Sequence, residues 1–188
     1  MVDPTETNRQ TDSQTRRRLT TAGTILGIGI GGFVDGILFH QILQLHSMLS
    51  ARLPIRQTAE NGLSDRQLAV NLEVNMFWDG LFHALTWTAT IIGITLLYRA
   101  LSHAAPIAAG RTLLGAILFG FGLFNLVEGI LDHHILHLHH VIEAPGHLLY
   151  DVLFLISGVV LIVIGRWLIR ADRKHRADPK TPKGQHSV

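Results

Sequence analysis

Four long apolar runs dominate the chain, at about residues 19–45, 76–98, 112–134 and 147–169. Each is long enough to cross the ~30 Å hydrocarbon core of a bilayer as a helix. None carries polar residues at every third or fourth position, as the helices of a soluble bundle do. The pattern predicts an all-α, polytopic membrane four-helix bundle. Trp78 and Tyr98 sit near the ends of the second run, where amphipathic rings anchor at the interface.

The runs are not uniformly apolar. Gly120 to His140 reads GFGLFNLVEGILDHHILHLHH. It sets Glu128, Asp132, His133, His134 and His137 where a lipid-facing helix carries Leu or Val. An ionisable group there costs about 3 kcal/mol and by default marks a site. The stretch Gly27 to His46, GIGIGGFVDGILFHQILQLH, has the same design. Shifted by 93 residues, the two agree at eleven of twenty positions, both His included, and Asp35 falls on Glu128. A weaker match at an offset of 72 lays residues 75–82 on 147–154, Asp79 on Asp151. The offsets differ by 21 residues, which shortens the loop of the second half. The chain thus reads as two tandem helix hairpins, repeat one at 19–98 and repeat two at 112–169. Glycines 23, 27, 29, 31 and 32 make a smooth side on the first helix for close packing.

The flanks set an expected orientation. Residues 1–18 are polar and expected to be disordered, ending in Arg16, Arg17 and Arg18. Residues 47–75 form a polar segment in which Ser64 to Gln67 is a capping box opening a short helix. The 99–111 loop carries basic residues, and the tail 171–188 is basic and expected to be disordered. The positive-inside rule then makes both termini and the 99–111 loop cytoplasmic, in a bacterial inner membrane. No signal peptide is read at the N-terminus.

Composition agrees: 47% hydrophobic, 16% charged, with a mean hydropathy of +0.29. Zero cysteines exclude disulfides and thiolate metal sites. The net charge of +2 resides mainly in the tails and points to lipid headgroups, not nucleic acid.

With that topology every span bears its ionisable residues toward the outer end. They are Asp35, His40 and His46; Asp79 and His83; Glu128, Asp132, His133 and His137; His147 and Asp151. Asp79/His83 and His147/Asp151 are i,i+4 pairs on one helix face. Asp35/His40 and Glu128/His133 are five apart, about 140° on an α-helix. Asp35 and His40 share a face only if the helix is wedged between two neighbours or distorted near Gly36, and Glu128/His133 poses the same problem. Two sites, or one ligand set with a hydrogen-bonding shell, also fit. Imidazole with carboxylate suits Zn, Fe, Cu or Mn. The expected ligands are His40, His83, His133 and His147. Asp35, Asp79, Glu128 and Asp151 serve as ligands or orient them, and Asp132, His137 and His46 complete the set. His134, His137, His139 and His140 form a rim, and Met48 and Met76 lie near His46. Three other readings compete: a hydrogen-bonded polar core, a haem held by His40 and His133, and a membrane metal-dependent hydrolase or oxidase. A transporter ranks last, because the cytoplasmic halves of the spans lack polar residues.

The segments FVDGILFHQILQLHSMLS, NMFWDGLFHA and LFNLVEGILDHHILHLHHV resemble a bacterial family of four-span predicted membrane proteins, domain of unknown function 2243. The resemblance covers about residues 21–169 and makes Asp35, His40, Asp79, His83, Glu128, Asp132 and His133 motif positions. It implies a partnership with respiratory haem-copper oxidases or their assembly factors. A homo-oligomer is a further expectation.

Overall fold

Hydrophobicity and length fix the helices, and glycine fixes how they meet. A computed structural model describes residues 4–58, 61–102 and 110–177. Four helices run through it: α1 (Pro4–Phe33), α2 (Asp65–Ser102), α3 (Gly110–Glu128) and α4 (His147–Ala177). α1 continues into a π-helical segment, Val34–Ile42, and α3 into another, Gly129–Ile135. No strand occurs among the described residues. All four helices are long and apolar enough to cross a membrane.

α1 and α3 form the central pair. α2 packs on α1, and α4 packs on α3, while α2 and α4 do not touch. The outer helices therefore turn most of their surface outward: Phe77, Leu85, Trp87, Leu149, Val163 and Trp167 are all exposed. In an apolar solvent these are lipid-facing residues.

The central crossing is glycine against backbone. A Cβ on Gly27 would lie 2.1 Å from the Ile117 carbonyl oxygen, and one on Gly120 would lie 2.0 Å from that of Thr24. Thr24 and Ile117 are themselves 93 residues apart, so the contact is reciprocal. The flanking contacts repeat as well. Gly29 meets Thr86 and Thr90 of α2, while Gly122 meets Gly158 and Ile162 of α4. Two hairpins of the same direction are thus related by an approximate two-fold axis along the bundle.

Several boundaries differ from expectation. α1 begins at Pro4, so residues 4–18 are helical rather than without order. Pro4 stands where a missing N–H costs nothing. Thr15 is buried, and Arg16 pairs with Asp12 at 3.2 Å and with Asp172 of α4 at 3.4 Å. Thr112 also donates to Asp172, at 2.5 Å, and the three clamp this end of the bundle. The capping box forms: Gln67 N–H donates to Ser64 Oγ at 3.4 Å and Ser64 N–H to Gln67 Oε1 at 3.0 Å. It opens not a short helix but the whole 38-residue α2. α4 extends through residue 177, and the rest of the expected basic tail, 178–188, lies outside the described residues, as does 103–109 of the loop.

Close approach at the axis gives a test. Gly27→Ala is expected to lower the thermal midpoint of the purified protein sharply, by ~3 kcal/mol or more of stability, since backbone must move. Gly80→Ala, with nothing within 4 Å of its new methyl, is expected to leave stability unchanged or raise it by up to ~1 kcal/mol. Equal midpoints for the two variants would refute the crossing.

Candidate metal centre

The site sits where the central helices end, and the winding of their last turns builds it. In a π-helix the N–H bonds five residues back, which widens the turn and brings residues five apart onto one face. Val34–Ile42 and Gly129–Ile135 are such segments, closed by Leu43 N–H to Leu38 O at 2.8 Å and Leu136 N–H to Leu131 O at 2.7 Å. His40 Nε2 consequently lies 2.9 Å from Asp35 Oδ2, a pairing that α-helical geometry forbids. Each segment stops at a residue with left-handed backbone, Gln44 and His137, both at φ 49°. Their carbonyls are then taken by arginines: Arg56 donates to Gln44 O, and Arg52 to His137 O at 3.0 Å.

Beyond these turns the chain folds inward. His46 and His139 reach the axis fully buried, their rings stacked 4.6 Å apart and nearly parallel. His40 stands 4.5 Å from His46, and His133 4.8 Å from His139, both edge-on. Asp35 and Glu128 close the ends: Asp35 Oδ1 is 3.6 Å from His46 Nε2, and Glu128 Oε1 is 3.5 Å from His139 Nε2.

Outer partners hold the rings. His40 Nδ1–H donates to Asp79 Oδ1 at 3.0 Å, and His133 Nδ1 faces Asp151 Oδ1 at 3.3 Å. His46 Nδ1–H donates to the Val141 carbonyl at 2.9 Å, and His139 Nδ1–H to that of Met48 at 3.2 Å. Val141 and Met48 are repeat mates, so each hairpin orients the axial imidazole of the other. The same carboxylates tie down the loops: Met48 N–H donates to Asp79 Oδ1 at 2.8 Å, and Val141 N–H to Asp151 Oδ1 at 2.9 Å. Ser50 Oγ–H donates to Glu143 Oε1 at 2.7 Å, joining the loops.

The inward atoms lack partners. His40, His46, His133 and His139 each have a buried Nε2 without a hydrogen bond, and so do Asp35 Oδ2 and Glu128 Oε2. The 2.9 Å approach of Asp35 to His40 lacks hydrogen-bond alignment and relieves neither atom. Burial beside His46 and His133 holds the His139 imidazole well below its ordinary range. His139 is thus neutral at neutral pH, and with Nδ1–H donated its Nε2 offers a lone pair. Two groups have ligand atoms within 4.8 Å of one another and share His139: His40, His46, His139, and Glu128, His133, His139.

Of the residues expected from sequence, His40, His46, His133, Asp35 and Glu128 come together here, with Asp79 and Asp151 behind the rings. His147 and Asp151 form a separate outer group with His140. The remaining expected residues stand apart. His83 Nδ1–H donates to its own helix at Asp79 O, 2.7 Å, and the ring lies over Gly36. The His137 side chain is exposed, its ring centroid 6.3 Å from that of His140. Asp132 is half-buried and its carboxylate accepts no hydrogen bond among the described residues. Met48 contributes backbone, and Met76 is exposed. His139, placed on the rim by its position in a turn, lies instead on the axis. Its signal was the 93-residue match to His46.

Four apolar helices around one polar, solvent-excluded cluster define a membrane protein with a buried His/carboxylate cluster at one end of its spans. Residues 22–172 match the predicted membrane proteins designated DUF2243, and the chain belongs to that family. No curated protein and no solved structure matches it.

Asp79→Ala strands the Met48 N–H and the His40 ring N–H in a buried place. It is expected to cost ~3 kcal/mol or more, seen as a lower thermal midpoint in detergent. Asp132→Ala, with no such partners, is expected to stay within about 1 kcal/mol of wild type.

Proposed function

We propose that the protein binds a transition-metal ion in the membrane through His40, His46, His133 and His139, with Asp35 and Glu128 as further ligands. The observation that carries this reading is the orientation of the four imidazoles. Three of them, His40, His46 and His139, donate Nδ1–H to a carboxylate or carbonyl. His133 Nδ1 lies 3.3 Å from Asp151 without a hydrogen bond, and all four have a buried Nε2 without a partner. Metal-ligating histidines are held in this way. A purely structural polar core would pair its buried nitrogens, since each orphan costs ~1–3 kcal/mol. Nitrogen and carboxylate donors without sulfur suit Zn, Fe, Cu(II) or Mn. Ring spacings of 4.5–4.8 Å favour bare ions over a porphyrin plane between His40 and His133.

The role that fits a sealed centre of this kind is metal handling or redox chemistry in a bacterial inner membrane, with both termini cytoplasmic and respiratory oxidases or their assembly factors as partners. The basic residues 16–18 and Arg99 at one end of the bundle support that orientation.

Elemental analysis of protein purified in detergent is expected to show stoichiometric transition metal. His46→Ala and His139→Ala are each expected to lose most of it, with affinity down by at least ~100-fold, and His83→Ala to retain it. Metal kept at wild-type level in both axial variants would sink the proposal, and a Soret band in the visible spectrum would replace it with haem.

A further inference from the structure

The two halves match closely around the axis and differ on the rim, where one difference gathers candidate ligands in the second half alone. At the repeat mates of Ser47 and Asn75, the second half carries His140 and His147. In the first half these positions are structural. Ser47 N–H donates to Ser50 Oγ at 3.1 Å, and Asn75 accepts Leu49 N–H at 2.9 Å while donating to Leu53 O at 3.0 Å. The first half has no histidine at either position. In the second half His140 Nδ1–H donates to Asp151 Oδ2 at 2.8 Å, and His147 Nδ1 lies 3.3 Å from the same oxygen. The two rings stack 3.7 Å apart, and ligand atoms of His140, His147 and Asp151 lie within 4.8 Å of one another.

Exposure grades inward across this group. The side chain of His147 is 43% exposed, that of His140 16%, and that of Asp151 2%. The other oxygen of Asp151 faces His133 of the inner centre at 3.3 Å. One carboxylate therefore touches both an outward-reaching histidine pair and a buried one.

We infer that His140, His147 and Asp151 form a second, exchangeable site for a divalent transition-metal ion, through which the inner centre is loaded. This rests on the inner centre binding metal, as proposed above. The chemistry favours a staged entry. A hydrated divalent ion cannot enter a sealed centre without losing its waters, and each lost water needs a replacement ligand. His147 is reachable from solvent, His140 is next, and Asp151 supplies the charge that draws the ion in. The inner imidazoles then lie one carboxylate away. Only one door is built, because the matching door in the first half is closed by Ser47 and Asn75.

The test uses the full chain in nanodiscs, stripped of metal and titrated with Zn(II), with bound zinc counted after timed exposure. The rim variant His140→Ser/His147→Asn carries the residues that the first half already holds at these positions, which keeps it foldable. Wild type is expected to show a weak, chelator-exchangeable class of zinc besides a tight class. The rim variant is expected to lose the weak class, keep the tight class at full occupancy, and load it about tenfold more slowly. The inner variant His46→Gln/His139→Gln is expected to keep the weak class alone. A rim variant with unchanged classes and unchanged loading overturns the entry site while the inner centre stands. Zinc lost only in the rim variant and untouched in the inner variant overturns both, for there is then no inner site to feed.

Discussion

Desolvation of imidazole and carboxylate governs this molecule. Eight ionisable side chains of the cluster, His40, His46, His133, His139, Asp35, Asp79, Glu128 and Asp151, come from all four helices and the turns after two of them, and each is at most 5% exposed. In an apolar surrounding such groups survive only where each polar atom meets another or an ion. The fold meets this demand for the outward nitrogens of His40, His46 and His139 and not for the inward nitrogen of any of the four rings. His46 and His139 satisfy the Nδ1 requirement by reaching across the axis to the carbonyls of Val141 and Met48. The two hairpins cannot separate without stranding both rings. Cohesion and site geometry are one set of contacts.

The glycine crossing serves that arrangement. Backbone contact at Gly27 and Gly120 brings α1 and α3 close enough for their π-helical ends to share one pocket. A side chain at either glycine would spread the helices and part the imidazoles. The i→i+5 winding is the second condition. It turns Asp35 and His40, or Glu128 and His133, toward the same point, where an α-helix would send one of each pair elsewhere.

Much of this was legible in the sequence. The offset of 93 identified Asp35 with Glu128, His40 with His133 and His46 with His139, which are the inward groups of the centre. Four apolar runs gave the helices and their hairpin order. Three things were not legible. Period-3.6 reasoning cannot announce a π-turn, so the five-residue spacings looked like a defect. His139 lies past the end of the helix, and turn position argued for the rim until the fold carried the chain back to the axis. His83 looked like a ligand through its i,i+4 link to Asp79, yet its repeat mate is Leu155, and its ring packs over Gly36 with Nδ1–H donated to Asp79 O.

Symmetry also explains why the departures matter. A duplicated hairpin starts with equal halves, and packing around a two-fold axis keeps them equal where both contribute to one centre. Where they differ, the axis places no demand. At the outer loops the first half fills its positions with Ser47 and Asn75, which bond to backbone, and the second with His140 and His147, which bond to a carboxylate. At the opposite end the difference reverses in kind: Asp172 of α4 gathers Arg16 and Thr112, whereas its mate on α2 is Ala100. One end of the second hairpin is thus fastened by an ion pair, and the other carries a partly exposed histidine pair on a buried carboxylate. The cation entry proposed above needs a frame held still at one end and reachable donors at the other, and the second hairpin has both.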